Sequence, residues 1–136
     1  MMGKIKFTSN TIDIGIVTTN RELMLNFYGN ILGFKKEIEI PFPGLGTVNK
    51  LNYGSGYIKI LVLENEPSNE NPIGDFSTSN GIRYLTINLS NLDEVINECS
   101  KNNINIINAG TSIRPGVMVG LIQDPDGNLI ELMQAT

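Results

Sequence analysis

Four polar side chains lie within strand-like stretches of the sequence: Asp13, Lys59, Tyr84 and Glu131. Neighbouring side chains of a strand point to opposite faces, so each of the four faces away from the isoleucine and leucine residues beside it. The two carboxylates are suitable oxygen ligands for a hard cation, and either could abstract a proton. A neutral tyrosine is a poor ligand, and a protonated lysine is itself a cation. The pattern predicts either a site for chemistry or binding, or a mutually satisfied polar network.

The chain of 136 residues contains no histidine. This excludes Ser–His and Cys–His nucleophile systems and any histidine-ligated iron or zinc centre. The single cysteine, Cys99, excludes an internal disulfide and suits a reducing compartment. It falls on the apolar stripe of a predicted helix, where we expect an inert core thiol.

The overall charge is mildly acidic, with 10 Lys and Arg against 14 Asp and Glu, or 10 − 14 = −4. Such a chain lacks the basic footprint of a nucleic-acid-binding protein and attracts a cationic ligand only weakly. No apolar run approaches the roughly 20 residues that span a bilayer, and residues 1–10 lack the apolar core of a signal peptide. We therefore expect a cytoplasmic protein without nucleic-acid or membrane partners.

The chain repeats one plan twice, with an offset of 91 − 20 = 71 between Asn20 and Asn91 and of 84 − 13 = 71 between Asp13 and Tyr84. Each copy has a strand, a helix and three more strands, which is a β-α-β-β-β module. We place module 1 at about 10–64 and module 2 at about 81–134. Residues of about 65–80, rich in Asn, Ser, Pro and Glu, are a surface linker within one domain of residues 1–136.

Each module has one predicted helix that begins at an asparagine. The first begins at Asn20, has an apolar stripe of Leu23, Phe27 and Ile31, and ends at Gly33. The second begins at Asn91 with a capping-box-like start and ends at Asn103. Its stripe consists of Leu92, Val95, Ile96 and Cys99.

Three segments carry a family resemblance: DPDGNLIEL at Asp124–Leu132, FYGNILGF at Phe27–Phe34 and GIRYLTINL at Gly81–Leu89. In this order and spacing they resemble the vicinal-oxygen-chelate superfamily, which includes glyoxalases, bleomycin-resistance proteins and extradiol dioxygenases. The resemblance covers nearly the whole chain. It implies an α+β fold in which the tandem modules form a curved, mixed β-sheet that lines a cleft, with the helices on the outer face.

The resemblance also implies where a metal would bind, since enzymes of the family use one residue from each of four strands. Those positions fall on Asp13, Lys59, Tyr84 and Glu131, and only Glu131 matches the family pattern. Lys59 would replace the metal and pair with Glu131 and with Asp13. We therefore predict no cofactor and a degenerate metal site, while an oxygen-ligated divalent metal stays the alternative.

Three functions remain open from the sequence. The first is a metal-free, bleomycin-resistance-like protein that binds a small organic ligand, with Tyr57 and Met118 as apolar walls, although such residues are more often core. The second is a glyoxalase-like lyase or isomerase with Glu131 as general base, and the third is an interaction subunit with a vestigial cleft. A dioxygenase is excluded by the missing histidines. The family implies a homodimer, with the cleft formed either within one chain or between two.

Overall fold

The computed structural model describes residues 3–136. The first module consists of β1 (Ile14–Thr18), α1 (Arg21–Leu25), β2 (Lys35–Phe42), β3 (Gly46–Asn52) and β4 (Tyr57–Leu63). The second consists of β5 (Tyr84–Asn88), α2 (Leu92–Lys101), β6 (Ile106–Arg114), β7 (Val117–Gln123) and β8 (Leu129–Ala135). Both have the predicted β-α-β-β-β order.

Each module forms its own four-stranded mixed sheet, in the orders β1-β4-β3-β2 and β5-β8-β7-β6. The first and last strands of each module pair in parallel, and the other pairs are antiparallel. The predicted α+β fold of two tandem modules is therefore confirmed. The linker between the modules crosses from the end of β4 to the start of β5.

The first helix changes its hydrogen-bonding pattern halfway along. After α1 the chain continues as a π-helix over Asn26–Ile31, closed by a bond from Leu32 N to Phe27 O of 2.9 Å. Met24, Phe27 and Tyr28 are buried in the core, whereas Leu23 is 56% exposed. The predicted stripe was therefore wrong at Leu23, because the buried face begins one residue later, at Met24, and continues with Phe27 and Tyr28 at helical spacing.

The ends of both helices agree with the sequence. Gly33 has a φ of 83° and Asn103 a φ of 57°, the left-handed conformation expected at each stop. Neither starting asparagine caps its helix through its side chain, however. The Asn20 amide instead donates to Asp126 Oδ1 at 3.4 Å, across to the other module.

One hydrophobic core includes buried residues of both modules. Leu92 and Cys99 of α2 are buried in it, as the predicted stripe of that helix requires. The other buried members are Met24, Phe27, Tyr28, Leu51, Ile58, Ile60, Ile122, Ile130 and Leu132. Helices cover one face of each sheet, and we call the other face the open face. Within residues 3–136, no helix combines the length and apolar character that crossing a bilayer requires.

Candidate functional site

A groove of about 370 Å³ lies between the edge strands of the two sheets, β1 and β5. Residues 14–17 and 82–85 form its two sides, and Asp126 and Asn128 lie at the turn before β8. Of the four predicted polar residues, only Tyr84 lines this groove. The other three project from the open faces on either side of it.

Asp13 and Lys59 meet on the open face of the first sheet. Asp13 directly precedes β1, and its Oδ1 accepts a hydrogen bond of 3.1 Å from the backbone N–H of Tyr57. Its Oδ2 lies 3.6 Å from Lys59 Nζ, and the two side chains are 36% and 42% exposed. The pair satisfies the lysine charge in part, although an ion pair this exposed contributes only about 0–1 kcal/mol.

A second lysine lies beside the first. Lys50 of β3 is directly opposite Lys59 of β4 in the antiparallel pairing, so both side chains project from the open face. Lys50 Nζ is 4.2 Å from the centroid of the Tyr57 ring, a cation–π contact. Lys50 has no local signal in the sequence, because its partner is defined only once the register between β3 and β4 is known.

Strand pairing arranges the first open face into two neighbouring rows. The lysine row runs across the sheet as Ile38, Lys50, Lys59 and Gly15. The apolar row, two residues further along each strand, runs as Ile40, Val48, Leu61 and Val17. Val17 is 56% and Ile40 39% exposed, so this row presents apolar surface beside two cations.

Gly15 leaves space at the end of the lysine row. A Cβ at this position would meet no atom within 4 Å. The Lys59 side chain therefore borders open volume on its β1 side, toward the groove between the modules.

Glu131 occupies the corresponding position of the second sheet. It is half-buried on β8, directly opposite Thr86 of β5, and its Oε1 accepts a 2.8 Å hydrogen bond from Thr86 Oγ1. The predicted pairing of Lys59 with Glu131 is not made. Lys59 meets Asp13 instead, because β4 adjoins β1 directly, whereas β1 and β5 separate it from β8.

Tyr84 is packed by the linker. Its ring centroid lies 4.5 Å from that of Phe76, and Tyr84 keeps 48% of its surface exposed. Close by, Arg83 Nη1 donates a 2.7 Å hydrogen bond to the carbonyl oxygen of Pro72. The side-chain amide of Asn71 donates a 3.0 Å hydrogen bond to Asn128 Oδ1. The linker therefore lies against module 2, which no feature of its polar composition had indicated.

Met118 does not lie on the open face, where it was predicted to form an apolar wall. It pairs with Gln134, whereas Glu131 pairs with Leu121, and an odd spacing from 118 to 121 places the two residues on opposite faces. A Cβ on Gly110 would lie 3.6 Å from Met118 and 3.7 Å from Leu92 of α2. Met118 therefore lies on the helix side, whereas Tyr57 lies on the open face beside Asp13 and Lys50.

The four predicted residues do not fit a divalent metal. Within residues 3–136 there is no group of three His, Cys, Asp or Glu side chains arranged to hold one. Asp13 and Glu131 belong to different sheets, and each already has a partner within its own module. The position between them carries an ammonium group, which repels a cation.

The turn before β8 joins the two modules. Asp126 Oδ2 accepts a 2.5 Å hydrogen bond from the hydroxyl of Thr18, and the buried Asp124 accepts a 2.7 Å hydrogen bond from the hydroxyl of Tyr28. Burial raises the pKa of Asp124, and burial together with the Asp124 charge raises the pKa of Tyr28 well above its usual value. The sequence had indicated only a hairpin turn at this point.

Comparison with known proteins gives a consistent family signal. Residues 11–132 match the model of the glyoxalase/bleomycin resistance protein/dioxygenase superfamily. No curated protein sequence matches the chain.

Similar folds occur among solved structures. A glyoxalase family protein from Bacillus cereus superposes with a TM-score of 0.83 at 14% identity, over 99% of both chains. A glyoxalase family protein from Enterococcus faecalis superposes with a TM-score of 0.70 at 23% identity, over 90% of this chain and 93% of that chain. The trypanothione-dependent glyoxalase I of Leishmania major gives 0.70 at 20% identity, over 90% of this chain and 84% of that one. At these identities the similarity concerns the fold.

Proposed function

The chain belongs to the glyoxalase/bleomycin resistance protein/dioxygenase superfamily, and on that premise we propose that it binds a small organic molecule on its open faces without a metal ion. The observation that carries the proposal is the ion pair of Lys59 with Asp13, 3.6 Å apart, at two of the family's metal positions. The remaining two positions hold Tyr84 against Phe76 and Glu131 on Thr86. These residues place polar groups on both open faces and in the groove between them.

Electrostatics favours this state over a metal site. Two unit charges of the same sign at 4 Å repel by about 4 kcal/mol near a protein surface, and a divalent ion doubles that cost. Lys59 would have to leave Asp13 before a metal could use that carboxylate. An open groove between the sheets also argues against an interaction subunit with a filled cleft.

Metal content of the untagged protein is the first test, since a histidine tag would supply ligands that the chain lacks. We expect substoichiometric Mn, Mg, Ni and Zn by elemental analysis, and no metal-dependent rise in melting temperature. One metal per chain that is lost in Glu131→Ala and retained in the control Glu66→Ala would overturn the metal-free assignment.

Ligand binding is the second test. A panel of small organic compounds is screened by thermal shift, because a ligand at 100 times its Kd stabilises the native state by about 2.7 kcal/mol. The stabilisation by these hits should disappear in Lys59→Met, which keeps an unbranched apolar side chain about as long as the lysine stem and removes the charge. A broad panel without any stabilising compound would contradict the proposal.

Catalysis by Glu131 is a second candidate function, favoured by the hydrogen bond from Thr86 that fixes this half-buried carboxylate. In a glyoxalase-like lyase or isomerase, Glu131 would abstract a proton and Lys59 or Tyr84 would stabilise the oxyanion. Turnover of a 2-oxo or hemithioacetal substrate should then vanish in Glu131→Gln while the fold stays intact. Equal rates in both proteins would end this alternative.

The proposal includes a cytoplasmic homodimer. Its support is the exposed apolar side chains of the β2–β3 turn, with Phe42 49% and Leu45 47% exposed, since monomers rarely expose contiguous apolar patches. A reducing compartment suits the single free thiol of Cys99, which is buried. Light scattering on the eluting protein would give twice the mass of 14.9 kDa if the dimer forms.

A further inference from the structure

The open face of the first sheet has a charge arrangement that a water-exposed sheet would not favour by itself. Lys50 and Lys59 are directly opposite each other across β3 and β4. Like charges in that position destabilise a sheet. One carboxylate, Asp13, contacts Lys59 at 3.6 Å, whereas Lys50 contacts the ring of Tyr57.

Other acidic groups near this face are already engaged. Glu37, at the irregular pairing in β2, accepts a 2.6 Å hydrogen bond from the amide of Asn52 at the rim. Glu39 belongs to the other face, where it pairs with Arg21 at 2.9 Å and with Lys36. Within residues 3–136, Asp13 is therefore the acidic contact of Lys59, and Lys50 contacts the Tyr57 ring in place of a carboxylate.

The apolar row lies immediately beside the lysine row. It crosses all four strands, and strands lie about 4.8 Å apart, so its length is roughly 14 Å. The distance between the two rows is two residues along a strand, or about 7 Å. A carboxylate between the two lysines lies opposite the middle of the apolar row, so a chain that reaches this row and follows it to one end extends about 14 Å, close to the length of roughly ten carbon atoms.

We propose that this face binds an amphipathic carboxylate, with the carboxylate between Lys50 and Lys59 and the hydrocarbon along the apolar row of Ile40, Val48, Leu61 and Val17. This deepens the proposed function and rests on it. The anion relieves the repulsion between the two lysines, and the hydrocarbon covers side chains that are otherwise exposed. The mildly acidic overall charge, which favours a cationic ligand, is outweighed here by the local pair of lysines.

The second module presents the opposite charge at the corresponding place. Glu131 stands in its β8 where Lys59 stands in β4, and Leu121 lies beside it in β7 where Lys50 lies in β3. The carboxylate ligand is therefore specific to the first module, although the two modules share one fold.

Decanoate is the probe, titrated below its micellar range by calorimetry against decanol and decylamine of equal chain length. We expect one decanoate per chain, affinity that falls with added salt, and weaker binding of both analogues. Shorter carboxylates should lose about threefold to fourfold in affinity per methylene removed. Equal binding of decanol, or preference for decylamine, would overturn the inference.

Matched lysine variants locate the carboxylate. Lys50→Met and Lys59→Met should each weaken decanoate binding at least tenfold, while Lys36→Met on the helix side changes it less than twofold. Circular dichroism and the melting temperature check that all three variants keep the fold. Equal losses in all three, or none in Lys50→Met, would contradict the assignment.

The outcomes also separate this inference from the function on which it rests. If decanoate fails to bind while another compound of the thermal-shift panel binds, the ligand class is wrong and the binding function stands. If no compound of any class binds, both fail. Occupation of the face by a second copy of the chain would appear as dimer dissociation in Val48→Asp, together with absence of decanoate binding to the intact dimer, and would also overturn the inference.

Discussion

Asp124 is the residue on which the junction between the modules depends most. Its carboxylate is 3% exposed and accepts hydrogen bonds from the hydroxyl of Tyr28, from the backbone N–H groups of Asp126 and Asn128, and from the amide of Asn128. Burial nevertheless dominates and raises the pKa of the carboxyl above its usual 3.8. The hydrogen bonds therefore fix the position of the carboxylate, but they do not fully compensate for the loss of water around its charge.

Stability should depend on pH through this residue. Because the pKa of Asp124 is raised in the native state, the native protein binds more protons than the unfolded chain between about pH 3.8 and the native pKa of this carboxyl. Its contribution to stability is therefore greatest below about pH 3.8, decreases as pH rises through the native pKa, and is constant above it. Urea unfolding between pH 4 and 8 should show this decrease for the wild type relative to Asp124→Asn.

In Asp124→Asn one side-chain carbonyl oxygen still accepts from the two backbone donors, but the NH₂ group faces another donor. The variant should therefore lose about 1 kcal/mol of unfolding free energy at neutral pH. Asp93→Asn on α2 serves as the control and should leave the pH dependence of the unfolding free energy as it is in the wild type. A wild-type advantage that grows with pH would mean that the hydrogen bonds outweigh burial.

At the scale of single elements, the first helix buries the side that carries Met24, Phe27 and Tyr28. Met24, Phe27 and Tyr28 have no exposed surface, and the Tyr28 hydroxyl reaches Asp124 from this position. An α-helix with the stripe predicted from sequence would bury Leu23 instead. The buried side of this helix therefore carries the tyrosine that connects the two modules.

Two adjacent substitutions test this arrangement. Met24→Ala should cost about 2 to 5 kcal/mol of unfolding free energy, because it leaves a cavity in a closed core. Leu23→Ala, at a position 56% exposed, should change it by less than about 0.5 kcal/mol. Urea denaturation followed by circular dichroism measures both, and similar losses would show that Leu23 also belongs to the core.

At the scale of the whole molecule, the two modules should unfold together, since their buried residues form one core. Tyr28→Phe removes the hydrogen bond to Asp124 and should cost about 1 to 3 kcal/mol. Amide hydrogen exchange of β3 and β7 should then accelerate by the same factor in both strands. Faster exchange confined to one sheet would show that the modules are independent units.

The sequence predicted the parts of this molecule that depend on local periodicity. The alternation of polar and aliphatic residues around Lys59 and Glu131 predicted the face of the sheet on which each lies. The constant offset of the repeat predicted the order of strands and helix in both modules. The sequence could not predict that Lys59 meets Asp13 and not Glu131, because that choice depends on which strands adjoin. Lys50 has no local signal for the same reason, and the true face of Met118 follows only from the register between β7 and β8.

The linker was also beyond sequence reasoning. Its Asn, Ser and Pro content indicated exposed chain, and residues 64–73 are indeed exposed. The contact of Phe76 with Tyr84 and the bond from Arg83 to Pro72 are tertiary and have no local signature.

The shared core and this exposed linker together have a consequence for chain continuity. Residues 65–70 are fully on the surface, whereas the linker further on is already fixed to module 2. A backbone nicked between Glu66 and Asn69 would lose no buried contact, and the bonds of Thr18 to Asp126 and of Tyr28 to Asp124 would still join the pieces. Two fragments produced separately should therefore reassemble into one native particle, as a non-covalent complementation pair.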